Sequence, residues 1–237
     1  MTMIAIQDSS ESQGSAFADR VVDEAVRQAE ERGWQAVRLS EVARSLELPM
    51  SVVLERFRDI DAVANAWFER GWRAMLAEKP DTFDDWPERV RIEHCLQAWF
   101  DTFAPHRRVT VQMLRTKAHL PHLHTWVPLV FDLSRTVQWL REAARLEARY
   151  GTRRAQVEEM ALTSLFLAAL AVWSTDTSEG QRRTRRFIEK RLKRGESCMK
   201  WVPGWGAGAS AITPKHSFRP ASRQALSAAA GGSAAPG

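Results

Sequence analysis

Three histidines cluster as His119, His122 and His124, in the spacing H-x-x-H-x-H. Imidazole is a common ligand for zinc and similar metals, so metal binding is the chemistry such a cluster would offer. No carboxylate or cysteine stands in the ten residues before it, and the nearest acid after it is Asp132. No metal site and no cofactor is therefore expected, and the three histidines read as part of a loop. Catalysis has as little footing. Ser40, Ser51 and Ser164 lack the strand-turn-helix setting of an activated nucleophile. Glu158 and Glu159 occupy adjacent helical positions, which point apart, so they form no facing carboxylate pair. No glycine-rich phosphate loop or dinucleotide motif occurs. The chain reads as a binding protein and not an enzyme.

Two other groupings bear on binding. Residues 182–194 carry Arg182, Arg183, Arg185, Arg186, Lys190, Arg191, Lys193 and Arg194 against the single acid Glu189. Thr184, Phe187, Ile188 and Leu192 can share one face there at three- and four-residue spacing. Such a helix either packs its apolar stripe on the body and solvates its arginines, or lies on an acidic partner or anionic membrane surface. The second grouping is aromatic: ten Trp and ten Phe stand against one Tyr. Trp99, Phe103, Met113, Trp126, Phe131, Trp139 and Phe166 fall on helices that should face one another. They would form either a packed core or the lining of a pocket for a small apolar ligand.

The elements that must position these residues are helical. Val21, Val22, Ala25, Val26 and Ala29 repeat at helical spacing, and Gly33 supplies a stop. Ser40 suits an N-cap for a short helix with Val42, Ala43 and Leu46. A second short segment is expected over Val52 to Phe57, and Asp59 or Asp61 caps a longer helix through Val63, Trp67 and Met75. Five further helices are expected at about 87–103, 106–117, 124–149, 153–174 and 177–195, with Pro128 starting or kinking the third. The fold class is all-α. Residues 1–15 are expected to be disordered, 16–78 and 81–196 to be the two domains, and 197–237 a low-complexity tail rich in Ala, Gly, Ser and Pro.

Composition excludes several classes. The longest apolar run, Met160 to Trp173, is shorter than the roughly 20 residues of a membrane span. Only Cys95 and Cys198 occur, which suits a reducing cytoplasm rather than a disulfide scaffold. The net charge of +5 is unevenly placed. Residues 1–80 carry ten Lys and Arg against fourteen Asp and Glu, whereas residues 81–200 carry 21 against 15.

A helix, a glycine, two short helices joined by a tight turn and then a longer helix make a helix-turn-helix layout. Val21 to Phe68 resembles the N-terminal module of TetR-type transcriptional regulators. The matching residues are Ala25 and Ala29, Gly33-Trp34, Glu41-Val42-Ala43, Phe57 and Asp61-Ala62-Val63. The resemblance implies a TetR-like fold: a three-helix reading module, followed by a helical ligand-binding and dimerisation domain. It implies a dimeric, ligand-responsive repressor that binds an operator. Arg38, Met50, Ser51, Val52, Leu54, Glu55, Arg56 and Arg58 would lie at the DNA. Three positions depart from the family pattern: Glu47 replaces the usual glycine of the turn, Leu54 a tyrosine, and Ile60 a phosphate-binding lysine. A second stretch, Ala171 to Gly180 continued by Thr184, Phe187-Ile188 and Arg191-Leu192, is similar to the lipid-binding accessory protein of coenzyme Q biosynthesis. That resemblance implies the same fold used for lipid binding and peripheral membrane contact, without DNA.

Overall fold

In the computed structural model, residues 2–117, 123–149 and 151–199 are described. They are helical, with no strand among them. The helices are α1 (Thr2–Arg32), α2 (Leu39–Ser45), α3 (Met50–Arg56), α4 (Ile60–Leu76), α5 (Glu88–Phe103), α6 (Arg107–Lys117), α7 (Leu123–Ala143), α8 (Arg153–Trp173) and α9 (Arg182–Met199). The all-α layout expected from the sequence is the one observed among the described residues. α1 reaches back to Thr2, through the stretch expected to be disordered. His119, His122 and residues 200–237 lie outside the described residues, as do the side chains of His124, Trp126 and Phe131. The described residues contain no cluster of three metal-ligating side chains.

α1, α2 and α3 pack around Val22, Ala25, Val26, Val42, Ala43 and Val53, all nearly or fully buried. Gly33 ends this unit's first helix at φ +85°, in the left-handed region that glycine adopts freely. Trp34 then turns inward and is buried. Ser40 does not cap α2. The cap is Arg38, in extended backbone, and no side chain accepts there. Asp59 does cap α4, its Oδ1 accepting from the N–H of Ala62 at 2.8 Å.

α4 is shared between the reading module and the rest, since it packs on α1 and also on α5 and α7. Gly71 lets α4 approach α5 closely. A Cβ there would lie 2.6 Å from ring atoms of both Phe103 and Trp99. α6 is the second link. Its Gln112 Oε1 accepts from the N–H of Trp34 at 2.7 Å, and its Thr110 hydroxyl accepts from the Trp67 indole at 3.0 Å. His106, just before α6, and Arg108 within it both meet Glu30 at the end of α1.

α7 contains Pro128 within its first turns and begins five residues before it, at Leu123. It ends at Ala143, short of the expected 149, where Arg145 takes φ +52°. α8 is long and apolar enough, by length and composition, to cross a membrane. Core helices share that property, and here Leu162, Phe166, Ala169 and Trp173 of α8 face the interior.

Candidate nucleic-acid interface

The turn between α2 and α3 is built from backbone hydrogen bonds. The N–H of Leu48 reaches the carbonyl of Ala43 at 2.9 Å, and that of Glu47 reaches Arg44 at 3.1 Å. This paired closure places the intervening residue in the left-handed region, where glycine is favoured. Glu47 stands there, at φ +56°. The family's glycine position is thus kept in conformation and changed in residue. Pro49 precedes α3, and its carbonyl accepts from Val52 and Val53, so α3 starts at Met50, two residues earlier than the sequence suggested. Phe57 ends α3 with its N–H on the carbonyl of Val53 at 2.8 Å and its ring buried. Val53 and Phe57 anchor one face of α3 inward. Every residue on the other face is therefore directed outward.

That outward face carries Ser51, Val52, Leu54, Glu55 and Arg56, all exposed, with Met50 half-buried beside them. Val52 is 37% and Leu54 45% exposed. The crest opposite Val53 is formed by Ser51, Val52 and Glu55, while Leu54 and Arg56 lie on its two flanks. Arg38, Arg44 and Arg58 are exposed around it. Of the acids nearby, Glu41 is engaged by Arg32 at 2.7 Å and Asp59 by the cap of α4. Arg58 pairs with Asp59 at 3.7 Å, so Arg38, Arg44 and Arg56 are the exposed cations left on this side, the residue type that meets phosphates without reading sequence. Ser51, Val52, Glu55 and Arg56 lie on the exposed side of α3 and Met50 at its half-buried start, while Arg38 and Arg58 are exposed on the segments before α2 and after α3.

The fold is similar to that in the crystal structure of the TetR transcriptional regulator from Nitrosomonas europaea ATCC 19718. The TM-score is 0.68 at 36% sequence identity, over 77% of this chain and 99% of that one. The chain belongs to the TetR family of transcriptional regulators. No family model and no curated protein matches it. Within this TetR-family chain, α2 and α3 are the helix-turn-helix, and α5 to α9 form the larger helical part.

Five of the seven expected pocket residues have described side chains. Trp99, Phe103, Met113 and Phe166 are buried, and Trp139 is half-buried. Trp99 meets Phe103 and Phe166 edge-on at 4.7 and 5.0 Å between ring centres, and Trp139 meets Trp72 at 5.3 Å. Such edge-to-face contacts are those of close-packed interiors. A groove of about 730 Å³ opens elsewhere, between α5, α8 and α9, lined by Ile92, Val157, Ala161, Leu165, Ala168 and Leu192. Of the expected pocket residues with described side chains, Trp99, Phe103, Met113, Trp139 and Phe166, none lines it.

Of the basic residues of α9, Arg185 is committed to the body. It donates to both oxygens of Asp101 at 2.7 Å and to Gln97 at 3.0 Å. Arg182, Arg183, Arg186, Lys190 and Arg191 are exposed. Thr184 and Ile188 are buried, and Phe187 and Leu192 pack against the core, so the apolar stripe of α9 is covered by the body. The α8–α9 junction is held by Asp176, whose Oδ1 accepts from Ser178 and Oδ2 from Thr184. The Trp173 indole donates to Gln181, which in turn donates to Asp101.

Proposed function

We propose that this chain is a dimeric, operator-binding transcriptional regulator whose DNA affinity responds to a small apolar ligand, and that it is not an enzyme. The observation that carries this reading is the exposed outward face of α3, with Arg56 on its flank and Arg38 and Arg44 exposed on and before α2, in a chain of the TetR family. A second copy would dock on α8. Met160 and Leu167 are 63% and 47% exposed on the side of that helix opposite its buried face, with Val157, at the edge of the groove, 43% exposed beside them. An exposed apolar side of this kind is the usual mark of an association surface, and a two-fold dimer would present two α3 helices to two half-sites.

A ligand in the groove between α5, α8 and α9 would act through α5, which lines the groove and packs closely on α4 at Gly71. The groove's volume lies within the usual range of small-molecule sites. Ligand binding would bias the spacing of the two α3 helices and thereby the operator affinity. The experiment is a salt titration of operator binding by the parent chain and by Arg38→Ala and Arg56→Ala. Each substitution is expected to weaken binding across sequences and to reduce the salt slope by about one. Unchanged affinity and slope in both variants would remove α3 from the DNA.

A further inference from the structure

The base-facing crest of α3 lacks the residue types that commonly read purines. Arginine and lysine pair with guanine, and asparagine and glutamine with adenine. The crest instead holds Ser51, Val52 and Glu55. Glu55 is exposed and, like Glu47 in the turn before α3, has no ion pair with a described residue, whereas Glu24, Glu31, Glu41, Asp19 and Asp23 on α1 and α2 are paired. Val52 is an exposed aliphatic side chain one helical turn from it; Leu54 is exposed too, on the flank of the helix, while Val53 is fully buried. Exposing both groups brings nothing to the fold.

Each has a counterpart in the major groove. A carboxylate accepts from the N4 amino group of cytosine, and an apolar side chain contacts the methyl group of thymine. Residues three apart on a helix have their Cβ atoms about 5–6 Å apart, which suits bases one or two steps apart on a strand. A carboxylate at this position also repels phosphates, so it penalises any docking in which it does not meet an amino donor. Resting on the DNA-binding reading above, we infer that α3 reads pyrimidines, with Glu55 accepting from cytosine N4 and Val52 contacting a thymine methyl. Arg56 and Arg38 then supply position rather than sequence.

The test starts with selection of bound duplexes from a random pool by the full-length chain, followed by competition binding at fixed salt. The selected half-site is expected to hold a cytosine and a thymine within two steps. Replacing that thymine by deoxyuridine removes only the methyl group and should weaken binding about threefold or more. Val52→Ala should lose as much and then be indifferent to deoxyuridine. Glu55→Gln should cut discrimination for cytosine about fivefold or more and move the preference at that position toward adenine. Both side chains are exposed, so the thermal midpoint of each variant should equal that of the parent. Enriched sequences with neither effect would overturn the pyrimidine reading while leaving DNA binding intact. A pool with no enriched sequence would overturn the DNA-binding reading itself.

Discussion

Asp176 fixes the junction from which α9 departs, and its removal has a calculable cost. The residue is fully buried. Burial alone pushes its carboxyl pKa up, but the N–H and hydroxyl groups of Ser178 and Thr184 outweigh burial and bring it to about 2, from 3.8 for a free side chain. One pKa unit is about 1.4 kcal/mol, so the charged form contributes about 2.5 kcal/mol to the folded state. The folded pKa lies below the unfolded one. This contribution is therefore fully present above about pH 4 and is lost as the pH falls toward 2. Asp176→Asn keeps the shape but turns an NH2 group toward donors. It should cost about 2–3 kcal/mol at pH 7, or about 5–10 °C in thermal midpoint for a domain of this size. Thermal unfolding followed by circular dichroism at stepped pH is the assay. The gap between parent and variant should close as the pH approaches 2. A midpoint within about 1 °C of the parent at pH 7 would refute the reasoning, as would a gap that persists unchanged to pH 2.

Three other expectations rest on single contacts. Gly71→Ala forces a methyl group to within 2.6 Å of two rigid aromatic rings. Overpacking outweighs the better helix propensity of alanine, and the thermal midpoint should fall by about 4–8 °C. Glu47→Gly relieves a left-handed residue and should raise stability in urea by about 0.5–1 kcal/mol, although it removes a side chain. Leu167→Glu places a charge on the exposed apolar side of α8 and should shift the chain from dimer to monomer in analytical ultracentrifugation at micromolar concentration, with circular dichroism unchanged.

The reading module was legible because each of its boundaries has a local cause. Gly33 stops α1, Phe57 closes α3, and Asp59 caps α4, and each is visible as a residue type in the right order. Ser40 misled because a serine near a helix start invites a cap, whereas Arg38 lies two residues before it in extended backbone and the helix begins between them. Pro49 hid the true start of α3, since a proline followed by a serine reads as punctuation rather than as a helix beginning. α7 ended early because Arg145 turns into the left-handed region, which no residue type there announces.

The larger helical part was harder to read. Aromatic side chains at helical spacing are equally compatible with a filled interior and a lined cavity, and only the ring-to-ring distances at Trp99 decide between them locally. The groove between α5, α8 and α9 owes its space to small residues, Ala161, Ala168 and Gly195. Space left by missing side chains has no signature in a hydropathy pattern. The crest of α3 had a signal in the sequence, since Glu55 and Val52 stand on the expected reading helix. What the sequence could not show is that Glu55 pairs with no described residue and that Val53, not Val52, is the residue turned inward.

The central claim is that this chain binds specific DNA through α3. It is tested most directly by fluorescence anisotropy of the purified chain with duplex DNA from upstream of its own gene, at two salt concentrations, against a scrambled competitor of equal composition. Binding that survives the scrambled competitor and weakens steeply with salt is the predicted result. Equal affinity for the two duplexes, or no binding at the lower salt, would contradict it.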